Sequence, residues 1–198
     1  MIFDTLISVI QDFLHKEGIS ALNGTEQIIR LAHAVSAIPW GEARAVEEVL
    51  TENVGTCTGK HLVLQACFDA LGIEYQPVVC TFHWGKQQIN LPSHLQGILD
   101  EGEWVHGHNF VQIRNDEGEW IDLDVTWDPS LAAHGFLALP GSWDGNASFV
   151  GLHSMINRWD GVSIAEKKEE LIGSLSTEHK ERRERFLKEF IQWIDSLR

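Results

Sequence analysis

The chain has 198 residues and a formal net charge of −14, a length that predicts one domain with a sizeable apolar core. With no basic cluster to neutralise phosphates, that charge argues against nucleic acid and anionic membranes as partners. Three cysteines without regular spacing make no disulfide framework and fit a reducing compartment. The opening stretch to Gly18 has neither the cationic start and cleavage site of a signal peptide nor an unbroken apolar run, so a cytoplasmic location is expected.

Phe3, Leu6, Ile7, Ile10, Phe13 and Leu14 recur at helical spacing and predict a first helix closing near Gly18. A second helix is expected to start at Asn23–Thr25, to carry Ile28, Ile29, Ala32 and Val35 inward and to end near Pro39. A short third covers about 43–50. The fourth begins at Cys57, after the turn-forming Gly55 and Thr56, and Gly72 sits where a left-handed cap belongs. Its residues Leu62 to Leu71 are apolar around most of the surface, which predicts burial. Cys57 would then lie at the N-terminus of a buried helix, where unpaired N–H groups and the macrodipole favour a thiolate. A buried structural cysteine is the alternative there, and it is the expectation for mid-helix Cys67.

Tyr75 to Phe82 reads as a strand, with Pro77 marking its start or an edge. Residues 83–107 look irregular, with a turn of helix at His94–Leu99. Two strands follow near 108–114 and 119–127, joined through Asn115-Asp116-Glu117-Gly118, a type I turn closed by a left-handed glycine. That turn sets Val111 opposite Leu123 and Ile113 opposite Ile121, leaving His108, Asp122, Asp124 and Thr126 on the other face. Asp124 is then the diagonal neighbour of His108, close enough for one hydrogen bond. Asp122 is too far, and Asp128 is a weaker candidate. Residues 128–162 are loop-rich. With Trp127, Trp143, His153 and Trp159 they are expected to wall a cleft, the alternative being that the tryptophans fill the core. Ser163-x-x-Glu166 caps the C-terminal helices. The last of these places Phe186, Phe190, Trp193, Ile194 and Leu197 on one face and a charged run, Lys180 to Arg185, on a solvated one.

Cysteine on a helix start, then histidine and aspartate on successive strands, follows the order of nucleophile, base and orienter. The N–H of Cys57 is one expected oxyanion donor; the Trp40 indole, Thr58 and Trp143 are further oxyanion or cleft candidates. Lys60, one turn into the helix, is available to add positive charge. Gly55-Thr56-Cys57, Ala70-Leu71-Gly72-Ile73, His108-Asn109-Phe110-Val111 and Trp120 through Asp124-Val125-Thr126 resemble the core motifs of the transglutaminase-like superfamily of papain-like cysteine enzymes, over about residues 25–130. That resemblance implies an α+β fold in which N-terminal helices and the cysteine helix pack on a small antiparallel sheet. It also implies a Cys57–His108–Asp124 triad acting through a thioester on an amide or peptide bond. Thr58 replaces the tryptophan usual after the cysteine of crosslinking enzymes, which argues against protein crosslinking. One domain over residues 1–198 is expected, with no cofactor and no metal. The alternatives are a non-catalytic binding module on the same fold, and a metal site from His106, His108 and Cys57. Substrate identity and oligomeric state are not encoded in any motif.

Overall fold

The computed structural model describes residues 2–198, with side chains from Leu6 onward; the inward placement expected of Phe3 lies outside the described side chains. In chain order the elements are α1 (Ile2–Lys16), α2 (Gly24–Ala37), α3 (Val46–Glu52), α4 (Cys57–Leu71), β1 (Tyr75–Phe82), α5 (Ser93–Asp100), β2 (His106–Arg114), β3 (Trp120–Leu123), β4 (Arg158–Asp160), α6 (Ile164–Gly173) and α7 (Thr177–Ser196). The fold is α+β. Helix ends obey local chemistry: Gly18 and Gly72 adopt φ of 71° and 69°, and the Thr56, Ser163 and Ser176 hydroxyls cap the starts of α4, α6 and α7.

The sheet is antiparallel with order β3-β2-β1-β4. Its hairpin has the expected register, Val111 opposite Leu123 and Ile113 opposite Ile121, and the turn closes through Gly118 at φ 78°. One sheet face, with Val111, Ile113, Ile121 and Leu123, is buried against α1, α2 and α4. The other, with Val78, Cys80, Phe82 and Phe110, packs against α5, α7 and a set of aromatic rings that includes Trp84, Trp104, Phe186 and Phe190. Burial of apolar surface on both faces is what holds the strands between helices.

Several expectations are corrected. Pro77 lies inside β1, a central strand, rather than at a start or an edge. Its carbonyl accepts from Gly161 on the β4 side, and its N-H-less nitrogen faces that same side, just past the end of β4, so no ladder bond is lost. The strand expected over 119–127 keeps its pairing only to Leu123. From there the backbone turns to other partners: the Asp124 N–H to Phe149, the Val125 N–H to His61, and the Thr126 N–H to the Asp124 carboxylate. The Lys180–Arg185 run is not wholly solvated either. Arg182 is 8 % exposed and donates to the Gly102 carbonyl at 2.7 Å.

Candidate active site

Cys57 is the first residue of α4. The segment before it is tied down by Gly55, which donates to Pro39 and accepts from Gly41, and by the Thr56 N–H, which donates to Ala43. Gly59 lets the first turn approach this segment, since a Cβ there would stand 2.5 Å from the Ala43 carbonyl oxygen. The half-buried thiol therefore sits on a fixed helix terminus whose first N–H groups have no intrahelical acceptor.

His108 Nε2 lies 2.7 Å from Asp124 Oδ2. Cys57 lies near enough to help raise the pKa of the same ring, and with Nε2 held by Asp124 the nitrogen left for the sulfur is Nδ1. The carboxylate is fully buried and accepts two backbone N–H bonds besides, from Gly151 at 2.9 Å on Oδ2 and from Thr126 at 3.0 Å on Oδ1. Burial alone would push the Asp124 pKa up, but the His108 charge and hydrogen bond hold it well below the usual carboxylate range. The same pair acts on His108: burial pulls its pKa down, Asp124 outweighs this, and it is raised to about 9. Burial pushes the Cys57 thiol up, yet Lys168 and then His108 draw it down to about 6. Between these two values the resident pair is thiolate and imidazolium.

Behind the pair are two buried groups of α4. His61 Nε2 accepts the Val125 N–H at 3.1 Å, so its Nδ1 carries the proton and donates to the Cys57 carbonyl at 2.7 Å. The ring is therefore neutral, and its 3.5 Å approach to Asp124 Oδ1 is no ion pair. Burial is the main cause that lowers its pKa to about 4. Lys60 points away from the thiol into the core. Its ammonium donates to the carbonyls of Ser36, Ile38 and Thr126 at 3.0, 2.8 and 2.9 Å. Burial pulls its pKa down to about 7. It ties α2, α4 and the end of the Asp124 strand together, and the expectation that it assists the thiolate is replaced by that structural role.

The cation at the thiol comes from α6. Lys168 Nζ is 3.5 Å from Cys57 Sγ, 2.7 Å from Thr58 Oγ1 and 2.5 Å from Asn109 Oδ1. A cavity of about 700 Å³ opens here, lined by Trp40, Cys57, Thr58 and Lys168 and walled by apolar residues of α6 and α7 such as Ile172 and Ile191. Trp40 and Thr58 thus line this cavity. Trp143 does not: it is buried in the core beside α2, its indole bonded to the Ala147 carbonyl. Trp127 is buried in the other core, Trp159 lies under Lys167, and His153 is bonded to Gly135. So α6 and α7, rather than 128–162, wall the cleft; the loop instead supplies the Gly151 N–H to Asp124. Asp122 forms a bidentate pair with Arg158, and Asp128 accepts from the Trp40 N–H and Arg198. Neither contacts His108. His106 accepts the Trp104 indole N–H, and the described residues contain no group of metal-ligating side chains.

Sequence reasoning gives no site role to Lys168, His61, Asn109 or Gly151. Only His61 carried a usable signal, a polar residue on the buried stripe of an apolar helix. No protein-family model and no curated protein matches this chain. Among solved structures, one described as a TGase is similar to it with a TM-score of 0.45 and 11 % identity, covering 67 % of this chain and 36 % of that one. The chain thus spans little more than a third of that protein's length, and the site is read from its own geometry.

Proposed function

We propose that the protein is a cysteine-dependent hydrolase or acyltransferase that attacks an amide or peptide carbonyl through Cys57, with His108 as acid–base and Asp124 as its orienter. The observation that carries this reading is the buried His108–Asp124 pair, closed by the 2.7 Å bond and by the two N–H donors on the carboxylate, with the Cys57 thiol near enough for the ring to lower its pKa. A carboxylate locked on Nε2 fixes the ring so that its other nitrogen serves the sulfur. The thiolate adds to the carbonyl carbon, and the C=O electron pair moves to oxygen. Collapse of that intermediate expels the amine, which takes the proton from His108 Nδ1. Water, deprotonated by the same nitrogen, then hydrolyses the thioester, or an acceptor amine takes its place. The first N–H groups of α4 face the developing oxyanion. The apolar walls of the cavity suit an acyl portion with an aliphatic or aromatic side chain.

The test is mass-spectrometric mapping of iodoacetamide alkylation across pH 4–10. Cys57 is expected to react with a midpoint near 6. Cys67 and Cys80, whose thiols burial pushes upward, are expected to stay inert in the folded chain. A Cys57 that ionises like a free thiol overturns the enzyme reading in favour of a binding module.

A further inference from the structure

The thiol's surroundings contain a cation that no triad requires. Lys168 stands 168 − 57 = 111 residues from the cysteine in sequence, yet its ammonium has all three of its proton directions occupied at the site: Thr58 Oγ1, Asn109 Oδ1 and Cys57 Sγ. The Thr58 hydroxyl donates its hydrogen bond to Asn109 Oδ1 at 3.1 Å, so it offers Lys168 only lone pairs. The ammonium also fixes which way Asn109 points, since an amide NH2 turned toward it would set donor against donor. The remaining Asn109 Nδ2 is buried and has no partner among the described residues. Packing holds the lysine in place: α6 crosses the sheet at Gly107, where an added Cβ would lie 3.8 Å from Lys168 Cγ and 3.4 Å from Leu171 Cδ1.

We infer that Lys168 is a catalytic residue of this site, holding Cys57 as a thiolate by direct contact and then turning the same N–H onto the oxygen of the tetrahedral intermediate. The inference rests on the hydrolase reading for its second half only. Charge bookkeeping of the step is simple. In the resting site the negative charge is on sulfur. As the C–S bond forms and the carbonyl π bond breaks, that charge appears on an oxygen two bonds from the sulfur. A flexible lysine anchored on Thr58 and Asn109 follows it with a small rotation, losing neither anchor. The Lys168 charge is the largest single cause that lowers the Cys57 pKa, followed by the hydrogen bond and the charge of His108, so with its ammonium 3.5 Å from the sulfur the thiolate does not depend on the imidazolium alone.

The experiment compares Lys168→Met, Lys168→Gln, Lys168→Arg and His108→Ala in the full chain. Two readouts are used: the pH midpoint of Cys57 alkylation by iodoacetamide, and the single-turnover acylation rate with p-nitrophenyl acetate. In Met and Gln variants the alkylation midpoint is expected to rise by about one to two pH units, with Arg near wild type, consistent with a thiol losing an adjacent cation. His108→Ala is expected to leave Cys57 still more acidic than a free thiol. Measured above their own midpoints, where the sulfur is already ionised, the Met and Gln variants are expected to acylate about a hundredfold more slowly, the usual effect of removing one oxyanion donor. An unmoved midpoint in both neutral variants overturns the thiolate contact. A normal acylation rate at full ionisation overturns the oxyanion role. Alkylation needs no turnover, so a wild-type chain that alkylates early but is never acylated overturns the hydrolase reading and leaves the ammonium–thiolate contact standing. Should both neutral variants fail to fold, an unchanged midpoint in Lys168→Arg with a raised one in Thr58→Val supports the contact, and an unmoved Thr58→Val overturns it.

Discussion

Replacing Asp124 by asparagine separates charge from geometry at the centre of the site. In serine triads the same change costs about four orders of magnitude, because the amide forces the histidine into the wrong tautomer. Here the donors around position 124 choose differently. An amide NH2 in the Oδ2 place would meet the Gly151 N–H head-on and invert His108, which stands 2.7 Å away. In the Oδ1 place it would displace only the Thr126 N–H; His61 Nε2, 3.5 Å from that oxygen, already accepts the Val125 N–H and neither repels nor receives it. The second orientation keeps a carbonyl oxygen on His108 and preserves its tautomer. What is lost is the carboxylate's charge: a charge-assisted bond becomes a neutral one, a difference of about 1.5 kcal/mol. Asp124→Asn is therefore expected to lower p-nitrophenyl acetate turnover by about ten- to a hundredfold, and to bring the alkaline limb, set by His108 near 9, toward neutrality. The buried Thr126 N–H left without its acceptor costs a further 1–3 kcal/mol or so of stability. Asp122→Asn, which disturbs only the pair with Arg158, is expected to leave turnover near wild type. A loss near ten thousandfold in a folded Asp124→Asn protein would refute the orientation argument. Equal turnover in the two variants would refute the triad.

Two further outcomes follow from the packing around this pair. Gly151→Ala places a Cβ 3.1 Å from both Asp124 Oδ2 and Trp127 Cδ1 and 3.2 Å from the Leu137 carbonyl; it is expected to cost about 1–3 kcal/mol in denaturant unfolding and to lower turnover further by tilting the carboxylate, and wild-type stability and rate would contradict it. His61, held neutral with a pKa of about 4 against an ordinary 6.5, binds fewer protons folded than unfolded between those values, so stability is expected to fall as pH drops from 6.5 to 4, by up to about 3 kcal/mol. His61→Gln should flatten that slope, and an unchanged slope would assign the acid sensitivity elsewhere.

The features legible in the sequence are those set by neighbours a few residues away. Helix phases follow from apolar spacing, and Gly72 ends α4 because a left-handed residue is needed there. Cys57 starts α4 because Thr56 caps it. The hairpin register was readable from one turn and an alternating pattern, and it singled out Asp124 over Asp122. Yet the bond to His108 forms after β3 has already left its partner strand. Its geometry is completed by Phe149 and Gly151, which lie in a loop without periodicity. Lys168 illustrates the limit most clearly. Beside it Lys167 pairs with Glu170 at 2.8 Å and lies over Trp159, so the run reads as an ordinary solvated helix face. Which of two adjacent lysines turns inward is decided by how α6 lies across Gly107, and therefore by packing between segments far apart in the chain. Local rules placed the thiol, the imidazole and the carboxylate; the cation beside the thiol, and the helices that wall its cavity, were decided by long-range burial.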